Sequence, residues 1–178
     1  IRHCGMARTD RRDANPRMNE VSLFRHHNDT FEGINRLMKS IAMNVLALIL
    51  GFVTGSVVNI MLVNIGPAVI PLPEGADVST MEGLQASMKL FTPVNFLFPF
   101  LGHALGTLTG AFVAAKIAAS HPLKSAMAVG VLFLAGGAAM VKMLGGPMWF
   151  NVADLVLAYL PMGYLGGTLA GGRGTQAF

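Results

Sequence analysis

Long apolar segments and short polar connections alternate along most of the chain. The apolar segments cover about residues 40–65, 95–119, 125–143 and 150–170. Each is close to the roughly 20 residues that an α-helix needs to cross the hydrocarbon core of a bilayer. The first exceeds the roughly 7–15 apolar residues of a cleaved signal peptide, so we expect it to remain as an anchor. The pattern predicts an all-α, polytopic membrane protein with four transmembrane helices in an antiparallel bundle.

The polar connections predict how these four helices follow one another. Residues 120–124 and 144–149 are tight breaks, which favour antiparallel neighbours. Residues 66–92 form a longer, proline-containing loop, in which Ser79 and Glu82 have the S-x-x-E spacing of a capping box. Apolar residues then recur at helical spacing, at Met81, Leu84, Met88 and Phe91. This loop therefore predicts a short interfacial helix that covers one end of the bundle.

The first 28 residues are polar and show no hydrophobic periodicity, which predicts a disordered basic arm. The chain starts with Ile rather than Met, so Met18 and Met38 are candidate translation starts. Either start would place some or all of this arm outside the native coding sequence.

A short amphipathic segment then leads into the first span at the membrane surface. It begins at Asp29, and Glu32 follows at capping-box spacing. The predicted organisation is thus the arm, a four-helix transmembrane domain over residues 29–172 and a tail over residues 173–178.

Composition and charge support a membrane protein with a defined orientation. The chain is 53% hydrophobic and 12% charged, whereas soluble domains carry about 25% charged residues. Basic residues near the ends of the spans all fall on one side of a four-span topology, whereas the 66–92 loop is mostly acidic. These basic residues are Arg36, Lys39, Lys116, Lys124 and Arg173. We expect a multi-pass protein of the bacterial cytoplasmic membrane, with both termini inside and Trp149 at the outer interface.

Glycine recurs at every fourth position in three of the four spans. Helices in lipid associate where small residues let their backbones approach, because lipid is as apolar as a leucine side chain. Residues four apart share one face of a helix, so each glycine series predicts a close helix contact. The predicted packing residues are Gly51, Gly55, Gly102, Gly106, Gly110, Gly163 and Gly167.

Polar side chains inside the spans form a candidate polar pocket in the outer half of the bundle. Its members are Asn59, His103, Thr107, Lys142, Asp154 and Tyr159. One interpretation is structural: Asp154 pairs with Lys142, while Asn59 and His103 form hydrogen bonds between helices. The alternative is a proton-linked pocket open to the outside, in which His103 and Asp154 titrate.

Several kinds of chemistry have no support in the sequence. The single cysteine, Cys4, excludes an intramolecular disulfide, and no C-x-x-C, G-x-S-x-G, P-loop or H-E-x-x-H motif is present. The spans offer one histidine and one aspartate, so we predict neither a metal site nor another cofactor. The basic arm has few aromatic residues and interleaved acids, which argues against nucleic acid as a partner.

A resemblance to an uncharacterised family of small bacterial four-span integral membrane proteins is carried by three segments. They are GSVVNIMLVNIGPAVIPLPEGADV, LFTPVNFLFPFLGHALGTLTGAFVAAKIA and YLPMGYLGGTLAG. The sequence similarity is concentrated around Asn59, Pro71, Glu74, His103 and Pro161. The resemblance covers about residues 38–172. It implies the four-span architecture and assigns no functional residue.

The sequence thus predicts a small integral membrane protein with a structural or accessory role, acting through close helix packing. Its expected partners are the lipid bilayer and either further copies of itself or a larger membrane complex. The alternative function is a small transporter or channel-like protein that binds a proton, an ion or a solute. An intramembrane enzyme is the weakest of the three hypotheses.

Overall fold

The computed structural model describes residues 16–171 of the chain, which are all-α and contain no strand. The helices are α1 (Pro16–Val69), α2 (Met81–Ser87), α3 (Leu97–Ile117), α4 (Pro122–Leu144), α5 (Met148–Leu157) and α6 (Leu160–Leu169), and a 3₁₀ turn (Pro93–Phe96) precedes α3. Four helical segments are long and apolar enough to cross a membrane: His27–Val69, Pro93–Ile117, Pro122–Leu144 and Met148–Leu169. The predicted all-α fold with four spans is confirmed.

The chain divides into two compact units, Ile1–Lys39 and Ser40–Phe178. In the first unit, the described residues are helical from Pro16 onward, whereas the sequence analysis expected a disordered arm up to residue 28. Proline suits the first turn of a helix, where its missing N–H has no partner to lose. The amphipathic segment predicted from Asp29 is likewise part of α1 rather than a separate element. Residues 1–15 and the predicted tail lie outside the described part of the chain.

The core of the second unit lies between α3, α4 and α6, which pack against one another. Small residues dominate its buried positions, including Ala104 and Ala114 on α3. Val129 and Phe133 on α4 belong to the same buried cluster, as does Ala158, which lies shortly before α6. Small side chains allow these three helices to approach closely, which is how helices associate in lipid.

The membrane part of α1 packs against α3 through glycine on both helices. A methyl group added at Gly51 would lie 2.6 Å from the carbonyl oxygen of Gly110, and one added at Gly106 would lie 2.7 Å from that of Gly55. Asn59 extends the contact, since its side-chain oxygen would lie 2.8 Å from a methyl group at Gly102. No side chain larger than hydrogen fits at these positions without separating the helices.

Glycine also brings α6 close to α4 and α3. The α-carbon of Gly163 faces that of Gly130 on α4, and Gly167 faces Ala126 one turn further along. Gly166 lies against the carbonyl oxygen of Leu108 on α3. The four-residue spacing pointed to Gly163 and Gly167 but not to Gly166, because Gly166 faces a third helix.

The turn between α3 and α4 is fastened to α1 by hydrogen bonds. Asn44 donates from Nδ2 to the Ser120 hydroxyl at 2.7 Å, and its Oδ1 accepts from the backbone N–H of Ser120 at 3.2 Å. The next residue, His121, has a φ of 52° and caps the start of α4. Asn44 therefore holds the turn between α3 and α4 against α1.

At the opposite end of the bundle, α2 lies over the connection between α4 and α5. Thr80 caps α2 by accepting the N–H of Gly83 at 2.9 Å, and Gln85 donates to the carbonyl of Met143 at 3.2 Å. The predicted Ser79–Glu82 capping box is wrong, because Ser79 instead donates through both its N–H and its hydroxyl to Asp77. We refer to this end as the α2 end.

The two hydrogen bonds from Ser79 lower the pKa of Asp77 below its ordinary value, because they stabilise the ionised carboxylate. A carboxylate with a lowered pKa contributes stability above its unfolded-state pKa. That contribution is lost as the pH falls through its folded-state pKa. The loop that leads into α2 is therefore held more weakly in acid.

The glycine contact between α1 and α3 predicts that Gly106→Ala destabilises the bundle. The added methyl group meets the backbone of Gly55, which no side-chain movement relieves. We expect the free energy of unfolding to fall by about 1–3 kcal/mol, the range typical of overpacked cores. Unfolding in sodium dodecyl sulfate, followed by far-UV circular dichroism, measures the change.

The matched control is Gly136→Ala on α4, where an added methyl group has nothing within 4 Å. This variant should be neutral or slightly stabilising, since alanine is the better helix former. Equal effects of the two variants would contradict the assigned contact.

Candidate functional site

Three side chains from two of the spans meet inside the second unit. His103 lies on α3, Asp154 lies on α5, and Tyr159 lies in the break between α5 and α6. His103 Nδ1 lies 2.8 Å from Asp154 Oδ1 and 2.9 Å from Oδ2. The Tyr159 hydroxyl donates to Asp154 Oδ2 at 2.9 Å. We call these three residues the His–Asp–Tyr cluster.

The cluster is buried on the aspartate and tyrosine side and partly open on the histidine side. Asp154 and Tyr159 are 2% and 1% exposed, whereas the side chain of His103 is 23% exposed. The rings of His103 and Tyr159 stack with their centroids 5.7 Å apart. The imidazole is therefore the most exposed of the three side chains.

Hydrogen-bonding capacity fixes the protons of this arrangement. An ionised carboxylate only accepts hydrogen bonds, so with Asp154 ionised, Nδ1 of His103 and the Tyr159 hydroxyl are both donors. In the neutral imidazole with that tautomer, the second ring nitrogen, Nε2, is a hydrogen-bond acceptor. Among the described residues, no hydroxyl or thiol side chain hydrogen-bonds to the imidazole ring of His103.

A break in the fourth span brings Tyr159 to the cluster. The span ends its first helix at Leu157 and starts again at Leu160, with Pro161 in the first turn of α6. Proline has no N–H to donate to the carbonyl four residues earlier, which interrupts the helix at this point. The sequence analysis placed one span over about residues 150–170, and the structure keeps this span while dividing its helix at Ala158 and Tyr159.

Gly137 on α4 makes room for the tyrosine. Its α-carbon lies so close to the hydroxyl and ring of Tyr159 that a methyl group there would overlap them. Sequence spacing did not single out Gly137, because its partner is an aromatic side chain rather than a second glycine. The glycine pair Gly136–Gly137 was the only signal that pointed to it.

The other candidate pocket residues divide into neighbours and outliers. Thr107 is fully buried one turn from His103 and donates to the carbonyl oxygen of His103 at 2.7 Å. Asn59 packs against Gly102 and Gly106 at the α1–α3 contact. Asn59 therefore lies at a similar depth in the bundle but takes no part in the cluster's hydrogen bonds.

Lys142 does not belong to the candidate pocket. Its side chain is exposed on α4, and the predicted Asp154–Lys142 pair is wrong, because Asp154 is occupied by His103 and Tyr159. A lysine near the end of a span reaches the polar interface readily along its flexible chain. His103 and Tyr159, which lie inside the bundle, provide the hydrogen bonds to the buried carboxylate instead.

The His–Asp–Tyr cluster does not line any of three cavities found among the described residues of the second unit. Two of them, of about 720 and 460 Å³, lie at the α2 end and share part of their lining. The third, of about 200 Å³, lies between the end of α1 and the start of α3. Among the described residues, no group of three or more His, Cys, Asp or Glu side chains is placed to hold a metal ion.

The fold defines an all-α chain with four helices that are long and apolar enough to cross a membrane, with a polar cluster inside the bundle. No protein-family model, curated protein or solved structure matches the chain. The resemblance noted from the sequence therefore stays a prediction.

Removing the Tyr159 hydroxyl should destabilise the bundle, because Oδ2 of the buried Asp154 then loses a hydrogen bond. We expect Tyr159→Phe to lower the free energy of unfolding by about 0.5–2 kcal/mol, the range found for hydrogen bonds between membrane helices. Gly137→Ala should act in the same direction, since it displaces the ring that carries the hydroxyl. Denaturation in sodium dodecyl sulfate again measures the free energy of unfolding of both variants.

Tyr164→Phe is the matched control, because the chain has only two tyrosines and Tyr164 is 53% exposed. Its unfolding free energy should equal that of the parent protein. A loss of stability in Tyr164→Phe as large as that in Tyr159→Phe would show that the hydrogen bond to Asp154 contributes nothing specific.

Proposed function

We propose that this chain is a small integral membrane protein with a structural or accessory role, exercised through helix–helix contacts in the bilayer. The observation that supports it is the closure of the polar cluster on itself. Both oxygens of Asp154 are occupied by bundle residues, and no buried side-chain nitrogen or oxygen among the described residues lacks a partner. A polar group satisfied in this way stabilises helix packing and has little capacity left for a solute.

The proposed location is the bacterial cytoplasmic membrane, with both chain ends on the cytoplasmic side. Positively charged residues concentrate on the cytoplasmic side of membrane proteins. Lys116 and Lys124 flank the α3–α4 turn, and the loop at the α2 end carries Glu74, Asp77 and Glu82. The α2 end is therefore the proposed external end.

The proposed assembly is a homo-oligomer that forms through α1. In its membrane part, α1 buries mainly the face with Gly51 and Gly55, and its opposite face is exposed and apolar. The exposed residues include Ile49, Val53, Val57, Ile60 and Met61. The alternative assembly, a larger complex with other membrane proteins, would use the same face.

This proposal predicts that the protein leaves the membrane as an oligomer in mild detergent or in nanodiscs. Val53→Trp with Val57→Trp should shift it to the monomer, because two bulky rings prevent close approach at that face. Native mass spectrometry measures the distribution of masses. Val156→Trp on α5, which is also exposed at 59%, is the control and should leave the oligomer intact. A monomer at every protein concentration, with no second polypeptide bound, would overturn the accessory role.

The second candidate function is proton binding linked to transport, and it is supported by the partly exposed imidazole of His103. Ionisable residues inside a membrane span are commonly functional. Here the imidazole lies beside a helix break, ten residues from one end of its span and fourteen from the other. Broken helices at this depth are a feature of transporter binding sites.

Proton transport predicts that His103→Ala and His103→Gln both abolish acidification of protein-containing liposomes under an imposed potential. A trapped pH-sensitive dye reports the flux. His121→Asn is the matched control, because His121 is exposed at the α3–α4 turn, and asparagine tolerates its positive φ. Equal flux in the parent and both His103 variants would eliminate this second function and leave the accessory role untouched.

A further inference from the structure

The α2 end contains a cavity whose lining includes one acidic and one basic side chain, Glu82 and Lys89. Its volume is about 720 Å³, and it lies between α2, the start of α3 and the α4–α5 connection. Glu82, Gln85 and Lys89 contribute the polar part of the lining. Glu82 and Gln85 lie three residues apart on α2, and Lys89 lies in the turn that follows it. All three side chains are exposed.

Within residues 16–171, the two charged groups of this lining have no partner. Neither Glu82 nor Lys89 forms an ion pair with another residue in the part of the chain that the structure describes. Gln85 contributes a single hydrogen bond, to the carbonyl of Met143. A carboxylate and an ammonium group thus face one cavity, and both are available to a ligand.

A second cavity continues from the first into the apolar part of the bundle surface. Its volume is about 460 Å³, and its lining is almost wholly apolar, with Leu97, Phe100 and Leu157 among its residues. Pro93, Phe96 and Trp149 line both cavities. The polar and apolar cavities are therefore neighbours that share a wall.

Aromatic rings mark the junction of the two cavities as a membrane–water interface. Phe96 makes an edge contact with Trp149 at 5.6 Å and lies 4.6 Å from the ring of Phe150. Trp149 is 52% exposed. Tryptophan prefers the headgroup level of a bilayer, because its ring is apolar and its N–H is polar. With Trp149 at that level, the polar cavity lies at headgroup depth and the apolar one at acyl-chain depth.

We propose that the two cavities bind one aminophospholipid, with the headgroup in the polar cavity and an acyl chain in the apolar one. The headgroup has a phosphate that Lys89 attracts and a primary ammonium that donates to Glu82. Lipids with a quaternary ammonium lack that donor, and anionic lipids place a second negative group or a neutral one near Glu82. The volume of each cavity falls in the range of small-molecule sites. This site requires only that the α2 end lies at an interface, and it does not depend on the accessory role.

Trp149 provides a direct probe of this site, because it is the only tryptophan in the chain. Phospholipids with brominated acyl chains quench tryptophan fluorescence on contact. The experiment reconstitutes the full chain in mixed vesicles and titrates brominated phosphatidylethanolamine, phosphatidylcholine or phosphatidylglycerol of the same chain length. We expect the ethanolamine lipid to bind about two- to fivefold more tightly than the other two, the factor that an exposed charge contact supports.

Two substitutions separate the contributions of the headgroup contacts. Glu82→Gln should abolish the preference for ethanolamine over choline, and Lys89→Gln should weaken binding of both. Glu74→Gln, which removes a nearby charge outside the lining of the polar cavity, should change neither. Circular dichroism confirms that the variants remain folded.

Equal quenching by all three lipids in the parent protein would identify only general contact with the surrounding bilayer and would overturn the proposal. A preference for phosphatidylglycerol that depends on Lys89 alone would overturn it as well, in favour of an anionic-lipid site. Neither result bears on the oligomeric state, so this proposal and the accessory role fail independently.

Discussion

Close approach of helix backbones is the constraint on which the arrangement of this bundle depends. Lipid offers no hydrophobic advantage to associating helices, so contact requires small residues on both surfaces. At the α1–α3 contact, the carbonyl oxygens of Gly106 and Gly110 occupy the space that side chains at Gly55 and Gly51 would take. With α4 and α6 packed on its other sides, α3 is then fixed in rotation as well as in position. That rotation directs His103 toward Asp154 and away from α1.

Satisfaction of polar groups is the second requirement, and the same glycine packing meets it. A buried carboxylate is costly unless hydrogen bonds compensate the loss of water. The break between α5 and α6 places the Tyr159 hydroxyl within 2.9 Å of Asp154, and α4 admits the tyrosine ring only because Gly137 has no side chain. Glycine packing and polar compensation are therefore one arrangement. A change in α4 that appears purely steric also alters the surroundings of the carboxylate.

The sequence predicted the features that depend on a single helix and missed those that depend on two. Hydropathy and length located all four spans, because each span must meet the bilayer thickness by itself. The Asp154 partner was wrong, since Lys142 and His103 are both near in depth and only helix rotation decides between them. Pro161 accounts for the break in the fourth span, but the position of the Tyr159 side chain depends on the space that Gly137 leaves on α4. Ser79 in place of Thr80 as the helix cap was a one-residue error in the loop that leads into α2.

The two ends of the second unit differ in how their polar side chains are hydrogen-bonded. At the α3–α4 turn, Asn44 and Ser120 exchange hydrogen bonds, so that end is fastened by groups that satisfy one another. At the α2 end, Gln85 supplies one bond to the α4 end, while Glu82 and Lys89 face an open cavity without partners. Polar groups remain unpaired where water or a ligand reaches them, and pair internally where neither does. The His–Asp–Tyr cluster is likewise paired within the bundle, apart from the partly exposed imidazole of His103.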